Sequence, residues 1–149
     1  MAYFHAEVGI AAPPHRVFAM LADWERQAEW MVDATTVEVF GEQREGVGTR
    51  VRAVTRVTLG VPIVDTMVVT DWEPDRLIRV RHLGAIVRGD AWWILRPDAS
   101  GTRLEWGEDL VPPLGALGEV GGLLLRRPIE SLLLASARKL KALVEQATV

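Results

Sequence analysis

The chain has 149 residues, 49% hydrophobic and 25% charged, with no cysteine. That balance fits a folded globular unit and excludes a disordered one, and the missing cysteine excludes disulfide scaffolds, thiol catalysis and cysteine-held zinc, iron–sulfur or haem. A net charge of −3, with arginines scattered along the chain, lacks the concentrated basic face of a nucleic-acid binder.

The first element predicted is a strand over Tyr3–Ile10, where Phe4, Ala6, Val8 and Ile10 alternate with more polar residues. Pro13-Pro14 then suits the first turn of a helix, and Val17, Phe18, Met20 and Leu21 follow at helical spacing. Asp23 is placed to cap a second short helix carrying Trp24, Ala28 and Trp30. From Thr35 the period becomes two, predicting strands at 35–42, 48–58, 62–72, 76–82, 88–96 and 102–111. The gaps carry turn chemistry, as in Glu73-Pro74-Asp75 and Asp98-Ala99-Ser100-Gly101, and such short connections imply antiparallel neighbours. After Pro112-Pro113 the period is helical again. Gly121-Gly122 and Pro128 predict a kink or a short leading helix, followed by a main helix from Pro128 to about Gln146.

Seven strands and one long helix make an α+β domain, and the chain reads as one domain over 1–149. The long helix must cover a curved antiparallel sheet. A straight rod cannot follow a curled sheet along its length, so a space is expected between them. The N-terminus lacks the features of a secretion signal, and no apolar run reaches the roughly 20 residues of a membrane span. A cytoplasmic protein without stable membrane insertion, monomeric or homodimeric, is the expectation.

The order of elements, with Ile10-Ala11-Ala12-Pro13-Pro14, Leu21-Ala22-Asp23, Gly46-Val47-Gly48-Thr49, Asp71-Trp72-Glu73-Pro74-Asp75 and Arg126-Arg127-Pro128-Ile129-Glu130, resembles the START-like helix-grip (SRPBCC) superfamily. The nearest likeness is its small bacterial polyketide cyclase/dehydrase-like branch. The resemblance covers essentially the whole chain. It implies a seven-stranded curved sheet gripping the C-terminal helix, with two short helices between strands 1 and 2. It also implies an apolar cavity for lipids, polyketides or other aromatic molecules, catalytic only in a minority of members. These stretches are structural punctuation, and a shared fold does not fix chemistry.

Alternation sorts the faces. The apolar sides carry Val51, Ala53, Thr55 and Val57; Ile78, Val80 and His82; Gly89, Ala91, Trp93 and Leu95; and Leu104, Trp106, Glu108 and Leu110. In the strand from 62, Val64, Thr66 and Val68 compete with Ile63, Asp65, Met67 and Val69, and each set has a polar member. The expected ligand-facing residues are Trp30, Val51, Ala53, Thr55, Thr66 (or Asp65), Val80, Trp93 and Trp106, with Leu124 and Leu132 from the helix. His82 and Glu108 stand out as polar residues on apolar faces. They are either solvated strand ends or an acid–base pair. No metal-ligand spacing, phosphate loop or nucleophile motif is present, so no cofactor or metal is expected.

The expected function is binding of a small hydrophobic molecule between sheet and helix. The alternative is a polyketide aromatase/cyclase or dehydratase using Glu108 and His82 as acid and base. A protein-assembly role is the weakest of the three readings.

Overall fold

Seven strands form one antiparallel sheet in the order β1-β7-β6-β5-β4-β3-β2. The computed structural model describes residues 2–56, 60–112 and 114–147. Its elements are β1 (Ala2–Ile10), α1 (Pro14–Ala22), a 3₁₀ turn (Trp24–Arg26), α2 (Gln27–Trp30) and β2 (Ala34–Val39). They continue with β3 (Arg50–Arg56), β4 (Pro62–Glu73), β5 (Leu77–Leu83), β6 (Arg88–Asp98), β7 (Gly101–Leu110) and α3 (Gly115–Gln146). The sheet curls into a half-barrel around the long helix, which is the helix-grip fold.

The chain enters at one edge of the sheet and must reach the other. The short helices make that crossing. Pro14 starts α1, and Val17, Phe18 and Leu21 bury its inner face. Asp23 makes no capping bond. The buried Gln27 does the local work instead, donating from Nε2 to the Leu21 carbonyl at 2.8 Å. From β2 onward each strand is a hairpin neighbour of the last, until β7 closes back onto β1.

Register decides the faces. A bulge between Val69 and Asp71 shifts the phase of β4, so Trp72 pairs with the buried Ile78. Trp72 then meets Phe18 edge-on at 5.1 Å, joining sheet to α1. On the outer face, cross-strand pairs such as Arg103–Glu7 (2.9 Å) and Arg81–Asp90 (3.0 Å) place arginines in solvent. Arg50, Arg52 and Arg56 are exposed in the same way. Val57 lies outside the described residues.

Of the two expectations for α3, the separate leading helix does not form. The helix runs unbroken for 32 residues through Pro128. Only its second half is buried, through Leu133, Ser136, Ala137, Leu140 and Val144. The first half comes close to the sheet at Gly122, where a Cβ would lie 3.0 Å from that of Ala2. Its leucines therefore point away, and Leu124 is 77% exposed.

Three polar contacts fix α3 along β1, an edge strand. The N–H of His5 donates to Glu130, the N–H of Ala11 donates to Glu145 at 2.9 Å, and Lys141 Nζ donates to the Gly9 carbonyl at 2.9 Å. The helix thus satisfies backbone groups that an edge strand otherwise leaves open.

Gly107 tests the packing of the outer face. A Cβ there would sit 2.4 Å from the Trp92 ring, which stacks on Tyr3 and lies under Arg79. Gly107→Ala is expected to cost about 1–3 kcal/mol in denaturant unfolding, through overpacking. Gly9→Ala, with nothing within 4 Å, is expected to stay within about 0.5 kcal/mol of the parent. Equal costs for the two would remove the packing account of Gly107.

Candidate ligand cavity

A cavity of about 240 Å³ lies between the inner face of the sheet and α3. The strands contribute Ala53, Thr55, Ile63, Met67, Val80, Ala91, Trp93 and Trp106, and the helix contributes Ile129, Leu132, Leu133 and Ser136. Ser136 Oγ also accepts the Val32 N–H at 3.1 Å, tying the helix to the segment before β2. Beneath the aromatic wall, Trp30 is fully buried. It stands edge-on to Trp93 (6.4 Å) and Trp106 (5.8 Å). Edge-to-face packing of this kind holds large rings in fixed orientations.

Four titratable residues line this apolar space: Asp33, Asp65, His82 and Glu108. His82 is buried, not a solvated strand end. Its Nδ1 meets the Asp65 carboxylate at 2.8 and 3.0 Å, as donor to an acceptor-only group. Nε2 is buried with no partner. Burial opposes charge on His82, but the Asp65 hydrogen bond and charge, with Glu108 and Asp90 further off, outweigh it. Its pKa is raised above the usual 6.5.

Burial pushes Glu108 up from 4.5 to about 7, although the charge of His82 pulls the other way and Asp33 and Asp65 add repulsion. Asp33 is raised too, again by burial. The site therefore holds a carboxyl that exchanges its proton near neutrality beside an imidazole fixed by a second carboxylate. Such a pair can donate and accept protons at one ligand.

The structure brings Ala53, Thr55, Val80, His82, Trp93, Trp106, Glu108 and Leu132 to one cavity. Other residues expected there lie elsewhere. Trp30 and Val51 are buried behind the wall and do not line it. Thr66 sits on the opposite face, in a shallow groove with Glu38, Phe40 and Arg52, because the register of β4 on β3 turns Asp65 and Met67 inward. Leu124 projects from α3 into solvent for the reason given above. Asp65 was legible as the competing set in β4. Asp33 gave no signal, because it lies in a connection without periodicity.

The raised Glu108 pKa predicts a pH-dependent stability. Below about pH 4.5 the carboxyl is protonated whether the chain is folded or not, and its burial costs no charge. Above about pH 7 the folded state bears the full penalty. Glu108 keeps partial solvent exposure within the cavity, so the penalty is about 2–3 kcal/mol. Glu108→Gln should therefore stabilise by about that amount at pH 8 and by less than about 1 kcal/mol at pH 5, measured by urea unfolding. A constant difference across that window would show that Glu108 titrates normally.

Solved structures share this architecture. The protein TTHA0849 from Thermus thermophilus superimposes with a TM-score of 0.83 at 22% identity, over 99% of each chain. The Zhui aromatase/cyclase from Streptomyces sp. R1128 gives 0.82 at 22% identity, over 99% of this chain and 95% of that one. The di-domain aromatase/cyclase StfQ of the steffimycin biosynthetic pathway gives 0.81 at 16% identity, over 99% of this chain and 52% of the larger protein. At these identities the likeness concerns the fold. No curated protein matches the sequence. A family model described as polyketide cyclase / dehydrase and lipid transport matches residues 1–145. The chain belongs to that family.

Proposed function

We propose that the protein binds a small, mostly apolar molecule in the cavity between the sheet and α3. The observation that carries this reading is the cavity itself: about 240 Å³, walled by Trp93, Trp106, Met67, Val80 and Leu132. A dry cavity of about 150 Å³ takes up benzene, so this one suits a molecule of one or two rings. Its family, described by polyketide cyclisation, dehydration and lipid transport, supports the same class of ligand. Tryptophan at the wall supplies both stacking surface and a reporter.

The test is quenching of tryptophan fluorescence by a panel of naphthalene derivatives, polyphenols and sterols. Micromolar binding by at least one class is expected. Ala53→Phe, which fills the cavity from β3, should weaken that ligand at least tenfold while the protein still melts cooperatively. A panel that changes neither fluorescence nor melting temperature removes the binding reading.

A second reading is an aromatase/cyclase or dehydratase. What favours it is the presence of His82 and Glu108 in one enclosed space. In this reading one group removes a proton next to a ketone and the other protonates the attacked carbonyl oxygen, after which water leaves. Placed acid–base groups contribute about 10²–10⁴-fold. Glu108→Gln and His82→Ala should each lower turnover of a poly-β-ketone substrate by that order, in a single-turnover assay followed by absorbance. Unchanged turnover in both variants ends the enzymatic reading and leaves the binding one standing.

A further inference from the structure

We infer that the cavity is a site for a small aromatic amine, with the ligand's ammonium among Asp33, Glu108 and Nε2 of His82 and its rings beside Trp93 and Trp106. This ligand class rests on the binding reading above and narrows it. Among the described residues that line the cavity there are three carboxyls, Asp33, Asp65 and Glu108, and neither arginine nor lysine. They come from three separate places: the connection before β2, β4 and β7. The one basic group of the lining, His82, is already held by Asp65 at 2.8 Å. Three carboxylates against one imidazolium leave the enclosed space negative. Buried charge is costly unless it is paired, and the described lining offers Asp33 and Glu108 no cation beyond the shared His82. A ligand ammonium supplies one.

His82 points to the same ligand independently of the charge count. Its side chain is only 8% exposed, and its Nε2 is buried without a partner. Asp65 only accepts, so the proton of the neutral ring stays on Nδ1 and Nε2 carries a lone pair. A buried acceptor calls for a donor. An ammonium has three donors and no acceptor, so it can meet Nε2 and the carboxylates together. A ketone or a hydrocarbon brings no donor, and a ligand carboxylate adds a fourth negative group. The aromatic wall suits a cation as well. Trp93 and Trp106 line the cavity with ring centroids 5.6 Å apart, and indole is the side-chain ring that attracts cations most strongly. Trp106 also hydrogen-bonds the Glu108 carboxyl, which favours its charged form.

The sign of the pH dependence follows from what faces Glu108. His82 lies on β5, Asp65 on β4 and Asp33 before β2. The β3 wall adds Ala53 and Thr55, the β6 wall Ala91 and Trp93, and α3 adds Ile129, Leu132, Leu133 and Ser136, none of them charged. Asp90 acts on His82 from β6. Glu108 loses its proton as the pH rises through about 7, and His82 loses its positive charge in the same direction. Both changes make the cavity more negative, so a cation binds more tightly as the pH rises. By linkage, its binding expels protons from these groups.

The experiment compares 2-(2-naphthyl)ethylamine with 2-(2-naphthyl)ethanol, 2-ethylnaphthalene and 2-naphthylacetate, which share one apolar body. Affinities come from tryptophan quenching and calorimetry at about pH 8 and about pH 5.5, where the amine stays protonated as a lysine does. Salt at about 0.15 M screens the surface charge. At the higher pH the ammonium compound should bind at least about tenfold more tightly than the alcohol, with the acetate weakest. That advantage should shrink at least about threefold at the lower pH, and calorimetry in two buffers at about pH 7 should show proton release. Glu108→Gln should bring the advantage at the higher pH down to its low-pH value. Asp33→Asn, at the cavity margin, provides the same test if the first variant folds poorly. Glu38→Gln, exposed on the outer face, should leave the advantage unchanged. An ammonium compound that binds no better than the alcohol, or an advantage that survives both cavity substitutions, overturns the amine site and leaves the binding reading standing. Binding by none of the four overturns the cavity reading, and the amine site with it.

Discussion

The hollow depends on where α3 is fastened. Glu130, Lys141 and Glu145 bond to the backbone of β1 and the residue that follows it, so the helix is anchored at one edge of the sheet. The curl of the sheet then carries β3, β4 and β5 away from the helix axis. Leu133, Ala137, Leu140 and Val144 fill the narrow part of the resulting wedge. The wide part stays open beneath Ile129 and Leu132. Side chains on the far side of the wedge are small or polar where the gap is greatest: Ala53, Thr55, Asp65 and His82. An anchored straight rod against a curved surface leaves space that close packing would otherwise remove.

That space sets the terms for its polar residues. Carboxyls in bulk water would be ordinary. Within an apolar wedge, burial drives Glu108 to about 7 and raises Asp33, while the hydrogen bond and charge of Asp65 raise His82 against its own burial. The pairing has a geometric consequence as well. Because Asp65 occupies Nδ1, the free nitrogen of His82 is Nε2, which is buried without a partner.

The exposed leucines at the start of α3 have a related origin. Gly122 lets the helix approach the beginning of β1 closely, where a Cβ would lie 3.0 Å from that of Ala2. Close approach through small residues leaves the large ones on the outside. Hydrophobicity alone therefore misplaces Leu124, since an apolar stripe marks a helix's core face only where that face is wide enough for large side chains.

Much of the architecture was written in the sequence. Period-two alternation, turn residues and a period-3.6 tail give seven strands, two short helices and a long one in their order. Alternation also sorts Val51 and Ala53, Val80 and His82, and Trp93, Trp106 and Glu108 onto inner faces, because neighbouring strand residues must point to opposite sides. Whatever depends on relations between elements was decided only by the tertiary structure. The facing of β4 needed its pairing with β3, since two equally mixed sets of side chains carry no periodic preference. The burial of His82, its partner Asp65 and the approach of Asp33 came from the closure of the sheet around α3. These residues are far apart along the chain, and local periodicity does not encode which distant groups a curved surface brings together.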